Sequence, residues 1–112
     1  MKKIEAIIRP EKFKVVRDAL AQHGISGLTV SEVAGCGNQK SKKGFFRGTT
    51  FEIQLVPKIK IEMVVSADQV DSIVDIFLKE ASTDTIGDGK IFISPVEEVI
   101  RIRSGERGQE AI

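Results

Sequence analysis

Lys60-Ile61-Glu62-Met63-Val64-Val65-Ser66-Ala67-Asp68-Gln69-Val70-Asp71-Ser72-Ile73-Val74-Asp75-Ile76-Phe77-Leu78 changes its hydrophobic period halfway along, and that change decides the fold. Up to Val65 apolar and charged residues alternate, which puts Ile61, Met63 and Val65 on one strand face and Lys60 and Glu62 on the other. The alternation reaches back through Phe51, Ile53, Leu55 and Ile59 on the apolar side and Glu52, Gln54 and Lys58 on the polar side, interrupted by Val56 and Val64. Pro57 has no N–H to donate, so the strand is bent or at an edge there. Ser66 and Gln69 then have the spacing of a capping box. Val70, Ile73, Val74, Phe77 and Leu78 recur at helical spacing, a stripe suited to lie on a sheet.

The same plan occurs upstream. Lys3-Ile4-Glu5-Ala6-Ile7-Ile8 echoes Lys60 to Val65, in a strand from Lys2 to Arg9. Pro10 suits the first turn of a helix carrying Phe13, Val16, Ala19 and Leu20, and Gly24 stops it. Leu28 to Ala34 reads as a second strand. Gly35 to Gly48 has no period and is glycine-rich, a long loop of the kind that is functional or disordered. After the second helix come a glycine turn, a strand from Lys90 to Ser94, a break at Pro95 and a final strand through Arg103. Two βαβ units with right-handed crossovers predict a single α+β domain over residues 1–112, a ferredoxin-like βαββαβ sandwich with both helices on one face. The first and last strands read as apolar on both faces, so association of several copies through their sheets is expected.

The net charge of +1 removes any general attraction to nucleic acid or membrane. One Cys and one His exclude a zinc cluster, and the lone Cys36 fits a reducing cytoplasm. Met-Lys-Lys resembles the start of a signal peptide, but Glu5 and Arg9 interrupt any apolar region behind it. No apolar run approaches the roughly 20 residues of a spanning helix. His23 falls where a helix should end and has a surface or capping role there. The chemistry indicated is binding, not catalysis.

Thr83 to Arg103 supplies the binding chemistry. Gly87 and Gly89 allow positive φ and close approach of a ligand, exposed N–H groups in such a turn suit anionic oxygens, and Lys90 adds charge at the edge. On a strand, Arg101 and Arg103 share a face roughly 7 Å apart, a spacing that suits successive phosphates. Taken alone, Gly-Asp-Gly-Lys is more often a tight turn before a charged strand than a phosphate site.

Further motifs accompany it: Thr83-x-x-x-Gly87-Asp88-Gly89-Lys90-Ile91-Phe92-Ile93, Gly35-x-Gly37-Asn38-Gln39-Lys40, Arg47-Gly48, Pro57-Lys58-x-Lys60-Ile61-Glu62, Ser94-Pro95-Val96-Glu97-Glu98 and Arg101-x-Arg103-x-Gly105-Glu106-x-Gly108. Together they resemble, in register along essentially the whole chain, the PII nitrogen-regulatory signalling proteins. The resemblance implies a ferredoxin-like homotrimer that binds ATP or ADP between subunits and senses 2-oxoglutarate. It implies a T-loop over about residues 37–55 and a C-terminal loop over about residues 104–112. Gly87, Asp88, Gly89 and Lys90 would hold phosphates, with Arg101 and Arg103 reaching in from the neighbouring subunit. Ile7, Thr29, Gly35, Cys36, Gly37, Asn38, Glu62 and Val64 would complete the nucleotide site. Gln39 would coordinate Mg²⁺, a hard cation that favours oxygen donors, and Gln39, Lys40, Lys58 and Gly87 would hold 2-oxoglutarate, with Lys58 on its distal carboxylate. Arg47 would meet a protein partner. The loop tip from Ser41 to Phe46 departs from the family pattern, and its basic Lys42 and Lys43 beside Phe45 and Phe46 suit an acidic or membrane-adjacent partner surface.

The resemblance favours an ammonium channel as that partner, with contact to the membrane only through it; another transporter or a soluble enzyme is the alternative, and a nucleotide hydrolase a third. Four further departures from the family pattern stand out. The position of a modifiable tyrosine is Phe51, and the chain has no Tyr, so tyrosine uridylylation has no acceptor. The position of a serine phosphorylated in cyanobacterial members is Thr49, where plain loop is expected, and Cys36 stands where Phe is frequent, with no redox role expected of it. Asp84 and Thr85 replace a usual glycine and basic residue beside the phosphates, which bears on the choice between ATP and ADP.

Overall fold

The computed structural model describes residues 1–36 and 55–112. Strand β1 (Lys2–Ile8) leads through a 3-10 turn at Pro10–Lys12 into helix α1 (Phe13–Gln22); β2 (Thr29–Gly35) and β3 (Val56–Val65) follow. A second 3-10 turn at Ala67–Gln69 opens α2 (Val70–Glu80), then come β4 (Lys90–Pro95) and a 3-10 turn at Gly108–Ala111. The sheet order is β2-β3-β1-β4 and every pairing is antiparallel. This is the ferredoxin-like βαββαβ arrangement expected from the periodicities. Each predicted stop is in place: Gly24 ends the first helical segment at φ 87°. At the start of α2, Gln69 Oε1 accepts from the Ser66 N–H (3.2 Å) and hydroxyl (2.9 Å). Pro57 sits in the part of β3 that has β2 beside it but lies beyond the β1 pairing, which begins at Ile59, so β3 is an edge on that side there.

Both helices lie on one face. Val16 and Leu20 of α1 and Ile73 and Phe77 of α2 are buried against Ile4, Ala6, Ile8, Ile61, Met63 and Val65. His23 caps α1, its N–H bonded to the Ala19 carbonyl, and its Nε2 lies 3.1 Å from Ser72 Oγ. Ser72 donates its proton to the Gln69 carbonyl (2.9 Å), so the hydroxyl oxygen accepts from the imidazole N–H and ties the helices together.

The two echoing segments become the central pair of the sheet. Their register places Ile4 against Met63, Ala6 against Ile61 and, at the centre, Glu5 against Glu62. Two carboxylates directly opposite each other repel. Lys60 resolves the conflict: its Nζ is 2.8 Å from Glu5 and 2.9 Å from Glu62, and Lys3 reaches Glu62 at 3.4 Å. The hydrogen bonds to Glu5 and then Glu62 raise the Lys60 pKa above the ordinary lysine value, and Lys60, followed by Lys3, lowers that of Glu62.

The structure changes two expectations. The first and last strands are not apolar on both faces. Register places Lys3, Glu5 and Ile7 with Lys90, Phe92 and Ser94 on the open face, so each strand contributes one large apolar side chain there. The final strand through Arg103 is also absent. β4 ends at Pro95, and Ile100 makes a single antiparallel bridge to Arg107. Between them the chain reverses, with Gly105 at φ 73° and its N–H on the Arg101 carbonyl (2.7 Å). Arg101 and Arg103 therefore lie at the start of a tight hairpin, not side by side on a strand. Its backbone bonds go to its own other arm, Arg101 N–H to the Glu106 carbonyl (2.9 Å) and Gly108 N–H to the Val99 carbonyl (2.9 Å).

Candidate functional site

The turn from Thr83 to Gly89 is built around one carboxylate. Asp88 accepts from the Thr83 N–H (2.7 Å), the Thr83 hydroxyl, the Thr85 N–H (3.4 Å) and Arg9 Nε (2.9 Å). The Thr83 bonds, then the Arg9 guanidinium, hold the Asp88 carboxyl well below the usual carboxylate range. Arg9, just past the end of β1, also donates through Nη2 to Thr85 Oγ1 (3.1 Å) and the Ile86 carbonyl (3.0 Å). Three residues of the segment have positive φ: Asp84 (58°), Gly87 (105°) and Gly89 (102°). At Gly89 the reason is contact as well as φ, because a Cβ there would lie 1.7 Å from the Ile7 carbonyl oxygen. The turn is thus pressed onto the backbone of β1 before the chain enters β4.

On the open side of this turn is a cavity of about 490 Å³, lined by Ile7, Gly35, Cys36, Val56, Lys58, Ile86, Gly87, Gly89, Lys90 and Phe92. Lys58 spans it from β3, its Nζ 2.5 Å from the Gly87 carbonyl oxygen. Two lysines and a glycine turn line this cavity, and none of its described lining residues is acidic. Such a space accepts an anion. A second space of about 290 Å³ lies behind the turn, between Ile7, Ile8 and β4 on one side and Phe77 and Leu78 of α2 with Ala81 just past its end on the other.

The residues singled out in the sequence fall into five groups. Ile7, Gly35, Cys36, Lys58, Gly87, Gly89 and Lys90 converge on the larger cavity, although they come from every strand and the turn. Asp88 does not line it and serves the turn from behind. Thr29, Glu62 and Val64 lie farther along the open sheet face, with Thr29 opposite Glu62 and Val64 opposite Lys3. Arg101 and Arg103 are in the C-terminal hairpin. There Arg101 Nη1 binds Glu106 (3.0 Å) and Nη2 the Glu110 carbonyl (3.0 Å). Gly37, Asn38, Gln39, Lys40, Lys42, Lys43, Phe45, Phe46, Arg47, Thr49 and Phe51 lie outside the described residues.

Sequence inspection missed Arg9, Thr83 and Thr85 as a group, and Val56, Ile86 and Phe92 as lining. Phe92 had a signal, since it is two residues beyond Lys90 on a strand and shares its face. Arg9 had none, because its partner Asp88 is distant in the chain and meets it only through the β1–β4 pairing.

Comparison with known proteins agrees with this fold. The family model "Nitrogen regulatory protein P-II" matches residues 1–106. A nitrogen regulatory protein P-II of Nostoc punctiforme is 54% identical over 112 residues, covering all of both chains. The nitrogen regulatory protein P-II 2 of Methanothermobacter thermautotrophicus is 52% identical over all of this chain and 97% of its own. Among solved structures, that of Arabidopsis thaliana PII bound to citrate superposes with a TM-score of 0.82 and 44% identity, over 99% of this chain and 91% of the other.

Proposed function

This chain belongs to the nitrogen regulatory protein P-II family, and from that premise we propose that it is a cytoplasmic signal transducer that binds ATP or ADP, senses 2-oxoglutarate and acts on a protein partner without catalysing a reaction. The observation that carries this is the cavity bridged by Lys58 to Gly87 and edged by Lys90, with no acid among its described lining residues. The nucleotide's phosphates would meet the Gly87–Lys90 turn, and Lys58 would pair with the metabolite's distal carboxylate. The Arabidopsis relative holds a polycarboxylate, citrate, which accords with a pocket for carboxylate anions in this family.

Mg²⁺ fits only in a particular way. Asp88 is fully engaged within the turn, so the oxygen available from this chain would be the Gln39 amide, and the rest of the shell would come from phosphate and metabolite. Gln39 would be this chain's ligand to the ion, which when bound would supply positive charge to offset that of the anions. What this chain contributes is orientation: cations on two sides of the cavity and a turn of fixed shape.

The partner-facing element is the segment of about residues 37–55, joined to the site through Gly35 and Cys36. Each ligand can bias that segment only by binding its conformations with different affinity. A homotrimer is the assembly proposed, with Arg101 and Arg103 completing a neighbour's site. Ile86 and Ile102, 84% and 100% exposed in the single chain, are side chains that subunit contact would cover. An ammonium channel is the favoured partner, engaged through Arg47, and regulation proceeds without tyrosine uridylylation because there is no tyrosine to modify.

Calorimetry with Mg²⁺ and ATP, with and without 2-oxoglutarate, tests the sensing role. Nucleotide binding and metabolite binding dependent on it are expected; no metabolite heat in either condition would overturn the Gln39 and Lys58 assignments. Co-purification with a channel, lost in Arg47→Ala, tests the partner. Sustained phosphate release from ATP would instead make the protein an enzyme.

A further inference from the structure

We propose that Arg9 and Thr85 are positioning residues for the phosphate-receiving turn: they touch no ligand, but hold Ile86 to Gly89 in the conformation that presents the Gly87 amide. The inference deepens the function proposed above and rests on it.

Its basis is the fate of two successive carbonyls. The Ile86 carbonyl is held by Arg9 Nη2 (3.0 Å) and the Gly87 carbonyl by Lys58 Nζ (2.5 Å). In a trans peptide the C=O and the following N–H point in opposite directions. Fixing the Ile86 oxygen on Arg9 therefore turns the Gly87 N–H away from Arg9. The Gly87 oxygen is fixed on Lys58, which lines the cavity, so the Asp88 N–H opposite it points away from Lys58. The Gly87 N–H has no backbone acceptor among the described residues. An amide oriented this way and left without an acceptor is what an anion requires.

The turn does not hold that shape unaided. Asp84, a non-glycine residue, sits at φ 58° within it, at an energetic cost that the surroundings must offset. Arg9 supplies the restraint from outside, gripping the Asp88 carboxylate with Nε and the Thr85 hydroxyl and Ile86 carbonyl with Nη2. The protons can be ordered throughout. Thr83 Oγ1 donates to Asp88, so the 2.6 Å contact between the two threonine hydroxyls has Thr85 donating to Thr83, while Thr85 Oγ1 accepts from Arg9. Every member is both held and holding. Replacing the Thr85 hydroxyl with a methyl removes one acceptor and one donor without changing the volume.

If the clamp loosens, the competent conformation is populated only part of the time, and the apparent Kd rises by the inverse of that fraction. Calorimetric titration of ATP with Mg²⁺ should show a Kd about five-fold higher for Thr85→Val and roughly thirty-fold higher for Arg9→Gln, the scale of losing a neutral and a charged hydrogen bond. Thr85→Ser, which keeps the hydroxyl, should bind within two-fold of wild type. Adenosine, with no phosphate, should bind all variants alike. If Arg9→Gln does not fold, the near-isosteric Thr85→Val decides alone. Unchanged ATP affinity in folded Thr85→Val, or equal losses for ATP and adenosine, would overturn the inference while leaving nucleotide sensing intact. A wild type that binds no ATP would overturn both.

Discussion

Substituting Gly89 with alanine should be among the most damaging single-methyl changes available to this chain. Two costs combine. At φ 102° an L side chain is held in a strained backbone region, which costs about 1–3 kcal/mol. The new Cβ would also stand 1.7 Å from the Ile7 carbonyl oxygen and 2.8 Å from its carbon. Both are backbone atoms of a central strand, so no side-chain rotation relieves the overlap. Relief requires parting β4 from β1 at the Ile7–Lys90 pair, an overpacking cost of about 1–3 kcal/mol more. A loss of about 4 kcal/mol is expected against a typical domain stability of about 5–15 kcal/mol. Gly24→Ala is the control, since Gly24 has φ 87° but nothing within 4 Å of an added Cβ, leaving strain alone at about 1–2 kcal/mol. Urea denaturation of the two variants and wild type, followed by circular dichroism at one protein concentration, separates strain from collision. Equal destabilisation by the two substitutions would refute the claim that the turn is pressed against β1.

Asp88→Asn should lower the urea midpoint at neutral pH, because an amide cannot serve all the donors that converge on the carboxylate. The folded-state pKa of Asp88 is depressed, so its contribution is complete above the ordinary value of roughly 3.9 and is lost as pH falls toward the lowered one. The gap between wild type and variant should therefore narrow below about pH 4, and a gap independent of pH would contradict the assignment. Lys60→Met leaves Glu5 facing Glu62, with Lys3 still 3.4 Å from Glu62; because Lys60 holds the Glu62 pKa below its ordinary value, the loss of stability should be larger at pH 8 than at pH 4. The same deficit at both pH values would show that Lys60 acts by packing. Gln69→Ala should cost about 1 kcal/mol by removing the acceptor at the start of α2, and no change in urea midpoint would deny it a capping role.

Much of the candidate site was legible because its residues carry unusual local chemistry. Gly87, Gly89 and Lys90 stood out as a turn able to meet an anion, and the parity of β3 placed Lys58 on the face away from the core. The role of Asp88 was not legible. A carboxylate between two glycines suggests contact with a ligand or its metal, and only its bonds to Thr83, Thr85 and Arg9 show it serving the turn. The arginines of the C-terminal segment misled for a related reason. Arg101 and Arg103 alternate as on a strand, yet the turn at Gly105 folds the segment back, and Arg101 turns to Glu106 and Glu110.

What the sequence determined by itself is the set of elements and their inward faces. The periods of Ile4 to Ile8, Val16 to Leu20, Ile61 to Val65 and Ile73 to Phe77 are local, and burial of each apolar face follows from them. The echo between the halves even fixed the two strands that became the central pair. Tertiary structure decided how charges and backbone meet across long separations: Glu5 against Glu62 under Lys60, Arg9 on Asp88, Lys58 on the Gly87 carbonyl. The physical reason is that polar contacts depend on distance and direction, whereas burial depends mainly on area and face. Periodicity in the sequence specifies the face, and only strand order and register specify the distance.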